Sequence, residues 1–229
     1  SVGVNNAYIY MDGPEVPIFD GSAIEYASLA DAGSVREMAE TRTSFNIQQP
    51  LVFSRRGANG QVIALPTNRN TLRLSYYIGF RNSAIGDQFY SFEFPGDYWK
   101  EIAAARTFVE RKDVDALQPV GRLLAAEQVV LYNADGIIEG TGFSRVDDAV
   151  RHKILDLFGD LQLAGFDLYG HVIAIEAGHR DHNALVRKIV RAQEGEYETP
   201  SEVEVRAVLA KLGSLRTERK LPAELFEEV

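Results

Sequence analysis

The sequence predicts an α+β protein. Strand patterns dominate from Thr43 to Phe94. A strongly amphipathic helix follows from about Asp147 to Ala164. Strands and helices are mixed without the regular β-α alternation that a doubly wound parallel sheet requires. At 229 residues, 45% hydrophobic and 25% charged, the chain can bury a core without staples. It divides by pattern into residues 1–40, the remainder of a first α+β domain, residues 41–195, a second α+β domain, and residues 196–229, a C-terminal helical extension.

The elements read in order as follows. Ser1-Val2-Gly3-Val4 runs directly into a strand pattern, which suggests a start in mid-fold. Asn6 to Asp12 is that strand, broken by Gly13-Pro14, and Glu15 to Phe19 is a second extended piece stopped by Asp20-Gly21. Ser22 to Ala32 is a short helix ending at Gly33. Leu51–Ser54 and Gln61–Leu65 flank the polar, glycine-containing stretch 55–60, the mark of a hairpin. Leu72, Leu74, Tyr76 and Ile78 alternate with Arg73, Ser75 and Tyr77, as in a half-buried strand, and Gln88 to Phe94 is an aromatic strand. Asp97 to Ala105 and Lys112 to Gln118 read as helices. Gln128–Tyr132 and Ile137-Ile138 flank a second hairpin turn at Asn133-Ala134-Asp135-Gly136.

In the helix from Asp147 the apolar stripe is Val150, Ile154, Leu157, Phe158 and Leu161, and Gly165 stands where a left-handed cap belongs. A strand at Leu168–Ile175 and a helix at Asp181–Gln193 follow. Ser201 and Glu204 form a capping box for a helix ending at Gly213, and the charged tail from Ser214 reads as an appendage.

Composition excludes some chemistry. The chain has no cysteine, so disulfides and thiolate metal sites are excluded, and the count is compatible with a cytoplasmic protein. A formal charge of -9 argues against a nucleic-acid partner, and no apolar run is long enough for a transmembrane segment.

The four histidines, His152, His171, His179 and His182, all lie in the C-terminal half among many acids. His152 and Asp156 are four apart on the strong helix and share a face, which Asp160 continues. That spacing fits two metal ligands from one rigid element, or a solvated helix face with a surface ion pair. His179 follows Ala177-Gly178 between a strand and a helix. It reads as a general acid or base in a cleft, or as a turn histidine in contact with solvent. His171 reads as structural. His182 reads as an exposed polar residue and as the only local candidate for a further ligand. Thr107, at a helix end, is placed to donate to an oxyanion or to bond the preceding turn.

Three segments together carry a resemblance. Asn6-Ala7-Tyr8-Ile9 with Asp12-Gly13-Pro14-Glu15-Val16-Pro17-Ile18-Phe19-Asp20-Gly21-Ser22-Ala23 is similar to the first; Ala105-Arg106-Thr107-Phe108 is the second. Val150-Arg151-His152-Lys153-Ile154-Leu155-Asp156, Gly159-Asp160-Leu161 and Gly178-His179 form the third. In order and spacing they resemble the UDP-3-O-acyl-N-acetylglucosamine deacetylases (LpxC). The resemblance implies two α+β domains with helices sandwiched between sheets, the first only partly present here. It implies a zinc-dependent hydrolase of lipid A synthesis that removes the N-acetyl group from an acylated UDP-sugar.

By that pattern His152 and Asp156 are two of three zinc ligands. His179 stabilises the oxyanion and protonates the leaving amine, Asp160 orients His179, and Thr107 donates to the oxyanion. Phe108 lines the sugar or acyl site, and Lys153 faces the nucleotide phosphate. The family's first motif, with a glutamate base and the third zinc-binding histidine, belongs N-terminal to Val4, on this chain or on a separate segment. Gln48 replaces a basic residue, and Ala125-Ala126-Glu127 replaces a small-residue turn. These departures leave a rival expectation, a non-catalytic relative acting as a binding or scaffold module. On the enzyme reading, the 229 residues alone are inactive.

Overall fold

The computed structural model describes residues 3–33, 35–55, 57, 59–81, 83–114, 128–132, 136–139 and 145–227. It is an α+β protein with two compact units. One comprises Ser1–Thr41, Phe80–Gly86 and Asp97–His152; the other comprises Arg42–Gly79, Asp87–Gly96 and Lys153–Val229. No helix among the described residues is long and apolar enough to cross a membrane.

The second unit is organised by its sheet. The strands are β1 (Ser44–Asn46), β2 (Leu51–Ser54), β3 (Gln61–Leu65), β4 (Leu72–Phe80), β5 (Gly86–Phe94) and, later in the chain, β9 (Asp167–Ile175). Their order is β2-β3-β9-β4-β5, with β1 paired to β9 off that path. The β2–β3 hairpin pairs antiparallel with Val52 opposite Ile63, as its flanking turn residues predict. β9 lies at the centre, antiparallel to β3 and parallel to β4, with Ala174 opposite Tyr76.

Helices α4 (His179–Gln193) and α5 (Glu202–Thr217) belong to this unit, as does α3 (Asp148–Leu161) from Lys153 onward. α3 buries Ile154, Leu157 and Leu161, and Phe158 stacks on Phe94 with ring centroids 4.1 Å apart. A 3-10 turn, Gln162–Ala164, extends α3 to Gly165, whose φ of 80° supplies the left-handed cap that glycine adopts without strain. α4 buries Leu185, Val186 and Ile189 and packs on β2 and β3.

The C-terminal region departs from the pattern reading. α5 begins at the expected capping box but continues through Gly213 to Thr217. Val208, Leu212, Leu215, Leu221 and Leu225 pack into one cluster with Val52, Ile63, Leu65, Tyr77, Ile173 and Ile175. Burying these leucines outweighs the ~1 kcal/mol cost of a glycine inside a helix. The tail is therefore part of the core. β4 departs for the same reason: it is buried along both faces, with Ser75 and Tyr77 inaccessible as well as Leu74 and Tyr76.

In the first unit, α1 (Ile24–Ala32) forms as expected, whereas the helix expected at Asp97–Ala105 is a single π-helical turn, Trp99–Ala103. β6 (Phe108–Glu110), β7 (Val130–Tyr132) and β8 (Ile137–Glu139) make a small sheet, with β6 and β7 parallel and β7 and β8 antiparallel. The turn at 133–135 lies outside the described residues, as does 125–127. Of the expected helix at Lys112–Gln118, a short α2 (Arg111–Val114) is described and 115–118 are not. Asn6 to Asp12 and Glu15 to Phe19 pair with no strand among the described residues, and Tyr8 and Tyr10 are more than 90% exposed. Alternation marks a strand only where a neighbouring edge accepts its hydrogen bonds.

Two sequence motifs meet inside this unit. The Ser22 amide and hydroxyl both donate to Asp20 Oδ1, folding Asp20-Gly21-Ser22 into a turn. Thr107 N–H donates to Gly21 O at 2.7 Å, Ala23 N–H to Ala103 O at 2.8 Å, and Arg106 Nε to Asp20 O at 2.6 Å. A Cβ at Gly21 would lie 2.2 Å from Gln128 O, so the close approach requires glycine.

Candidate functional site

Helical periodicity puts His152, Asp156 and Asp160 on one face of α3. His152 is 8% exposed, and its Nδ1 lies 3.0 Å from the Ala105 carbonyl oxygen. A carbonyl only accepts, so Nδ1 carries the hydrogen, and Nε2 is the lone-pair nitrogen of the neutral ring. That tautomer is how ligating histidines are commonly held, by a second bond to a backbone carbonyl or carboxylate. Asp156, one turn on, receives Lys153 Nζ at 2.6 Å and has His179 Nε2 at 4.0 Å.

The start of α4 delivers the remaining imidazoles. Gly178 is extended at the N-cap, and its N–H donates to Asp181 Oδ2 at 3.1 Å. His179 is the first helical residue and His182 lies on the same side, three positions on. Both present Nδ1 to the same oxygen, Asp160 Oδ2, at 2.7 and 2.8 Å. Asp160 is thus a carboxylate clamped by two N–H donors. Its burial opposes ionisation, but the hydrogen bonds from His182 and His179 prevail and hold the carboxyl below the usual carboxylate range.

His179 is largely exposed, its side chain at 63%, whereas His182 is inaccessible. The expectation of an exposed His182 is therefore corrected. Its ring stands edge-on to Tyr76, whose Oη meets its Nε2 at 3.0 Å. Burial first, and then Lys153, push the His182 imidazole down, although Asp160 pulls the other way. Tyr76 donates toward Ala177 O at 2.6 Å, and its burial, with Asp156, Asp181 and Asp160 nearby, pushes its phenol well up.

The second unit thus brings together Asp156, Asp160, His179 and Lys153. His171 lies elsewhere in that unit: it is buried in β9 and bonded to Ser75 at 2.8 Å. A cavity of about 270 Å³ near it, lined by Arg69, Arg73, Thr67 and Glu93, includes none of the predicted site residues. Thr107 and Phe108 belong to the first unit. There the Thr107 carbonyl accepts from Val130 N–H at 2.9 Å, and the Phe108 ring meets Phe80 and Tyr132 edge-on. Pattern reading missed Tyr76, which as one aromatic in a strand carries no signal. The i, i+3 spacing of His179 and His182 could have revealed that pair.

Two arrangements can be tested against a metal. Asp160, His179 and His182 place their ligand atoms within 4.8 Å of one another. Both nitrogens of His182, however, already make hydrogen bonds, and the Asp160 oxygen accepts two N–H groups. The other pair, His152 and Asp156, is divided between the two units, with His152 in the first and Asp156 in the second.

The fold and these residues define an α+β protein with a carboxylate–imidazole cluster, Asp160 with His179 and His182, at the start of α4. The chain belongs to the family of LpxC, the UDP-3-O-acyl N-acetylglycosamine deacetylases, whose pattern it matches over residues 1–191. It is 33% identical over 196 residues to the UDP-3-O-acyl-N-acetylglucosamine deacetylase of Syntrophus aciditrophicus, covering 84% of this chain and 61% of that protein. The Campylobacter jejuni enzyme of that name is 33% identical over 192 residues, with 82% and 64% covered. The Solibacter usitatus one is 34% identical over 195 residues, with 83% and 64% covered. The chain therefore spans a little over three-fifths of the length of these relatives.

Proposed function

We propose that these residues form the metal-binding and proton-transfer part of a zinc-dependent deacetylase. Its substrate is a UDP-linked, 3-O-acylated N-acetylglucosamine, and its place is cytoplasmic lipid A synthesis. The observation that carries the proposal is the α3 array, with Asp156 and Asp160 one turn apart and His179 bonded to Asp160 at 2.7 Å. When bound, zinc supplies a Lewis acid for the amide carbonyl and a water of lowered pKa.

In this reading His152 and Asp156 hold the ion, His152 through Nε2. His179, its Nδ1–H fixed by Asp160, directs Nε2 at the reacting group and donates a proton to the leaving amine. Thr107 donates its hydroxyl to the oxyanion. Phe108 lines the sugar or acyl site and Lys153 faces the phosphate. In the same reading the third ligand and the glutamate base come from a motif N-terminal to Val4, on the same or a separate chain.

The test is acetate release from the acylated UDP-sugar at fixed zinc, with and without that N-terminal motif supplied. Activity is expected only with it. His179→Ala should then lower turnover at least ~10²-fold with zinc content retained, whereas Asp156→Ala should lower zinc content. Equal zinc loss in both variants overturns this division of roles. No acetate release with the motif supplied favours a binding module.

A further inference from the structure

We propose that Tyr76 and His182 form a buried brace that positions Asp160 for its hydrogen bond to His179. The hydrogen-bond chain runs Tyr76 Oη–His182 Nε2, His182 Nδ1–Asp160 Oδ2 and Asp160 Oδ2–His179 Nδ1, at 3.0, 2.8 and 2.7 Å. The importance of His179 rests on the function proposed above; the brace itself rests on these contacts.

An inaccessible imidazole is costly unless both nitrogens are satisfied. A carboxylate oxygen only accepts, so His182 Nδ1 carries the hydrogen toward Asp160. In the neutral ring Nε2 is then bare, and the single hydrogen of the Tyr76 hydroxyl is shared between it, at 3.0 Å, and the Ala177 carbonyl oxygen, at 2.6 Å. The two rings stand edge-on, 86° apart with centroids at 5.8 Å, which fixes the imidazole plane as well as its bonds. Tyr76 is itself inaccessible, held in β4 opposite Ala174 of β9.

The same hydroxyl lies 2.6 Å from Ala177 O, in the connection leading to His179. One oxygen thus faces both the segment that delivers His179 and the ring that holds its carboxylate. Lys153 Nζ lies 5.9 Å from the Tyr76 ring centroid, and the charges of Asp156 and Asp181 also act on Tyr76. Without His182, Asp160 keeps a single imidazole donor from α4 and can rotate away from His179. Catalytic groups lose rate steeply with such misplacement. Tyr76 and His182 are therefore positioning residues.

With only four histidines in the chain, nitrogen-15 NMR of the side chains can decide this. At neutral pH His182 is expected as the Nδ1–H tautomer. Tyr76→Phe should move the His182 Nε2 resonance and shift the His179 tautomer ratio while the far-UV circular dichroism stays native. His182→Leu should shift that ratio further, and His182→Asn, which retains an N–H donor, should restore most of it. An Nε2–H tautomer for His182 overturns the brace, as does a His179 ratio unmoved by Tyr76→Phe in folded protein. In the active form with the N-terminal motif supplied, His182→Leu should lower kcat about tenfold with KM unchanged, and His182→Asn should recover it. A wild type without deacetylase activity would sink the functional reading while the NMR result still decides the brace.

Discussion

The N-terminal stretch from Val4 to Phe19 and the C-terminal stretch from Ser201 to Leu225 are instructive opposites. The first carries strand-like alternation, yet its residues are all exposed and pair with no strand among those described. The second is dense in charge, yet it supplies Val208, Leu212, Leu215, Leu221 and Leu225 to the core of the second unit. Their local patterns alone rank them the other way round. A stretch acquires a fold when an apolar surface receives it, and the β3–β9–β4 face receives α5. Identity points the other way again, since the family match covers residues 1–191 and includes the exposed stretch.

The largest effect that could break this contrast lies in the core. Truncating Ile173 or Leu212, both nearly inaccessible, should cost about 2–5 kcal/mol in urea unfolding. Ile9→Ala, at a position 75% exposed, should stay within about 0.5 kcal/mol. Equal losses at Leu212 and Ile9 would show that the tail does not belong to the core.

A smaller effect sharpens the reading of α5 itself. Ser201 accepts from Glu204 N–H while Glu204 receives the Ser201 N–H at 2.9 Å. Ser201→Ala should therefore cost about 0.5–2 kcal/mol if the helix is docked. No measurable change would mean that α5 frays without consequence for the sheet.

Much of this fold was legible because its signals are local. The β2–β3 hairpin, the Gly165 cap and the Ser201–Glu204 box each lie within a few residues and form where they were expected. The candidate site was legible in part for the same reason: the His152, Asp156 and Asp160 spacing is a property of one helix. What could not be read is set by pairing between distant segments. The Tyr76 contact to His182 spans 106 residues and depends on the parallel register of β4 against β9. The Ala105 bond to His152 spans 47 residues, and nothing near His152 in sequence announces it. Burial of His182 was misread because polar residues in a first helical turn are usually solvated, and here a tyrosine from another strand replaces the solvent.

The smallest expected effect concerns pH and isolates the inaccessible imidazole of His182. His182 has a folded-state pKa below its ordinary 6.5, so on acidification the unfolded chain takes up this proton before the folded chain does. More protons on the unfolded state means that stability falls as pH drops from about 6.5 toward the folded value. Asp160 is also depressed, below 3.8, so its contribution is present above that value and is lost only in stronger acid. The first window opens near 6.5 and the second only near 3.8. Any single proton contributes a slope of at most about 1.4 kcal/mol per pH unit. His182→Asn should flatten the first window and leave the second. Asp160→Asn should abolish the second and steepen the first, because the carboxylate that favours His182 protonation is gone. Urea unfolding in metal-free buffer from pH 7.5 to 3 checks both slopes. A wild type and a His182→Asn variant with parallel curves above pH 4 would show that His182 titrates as freely in the folded chain as in the unfolded one.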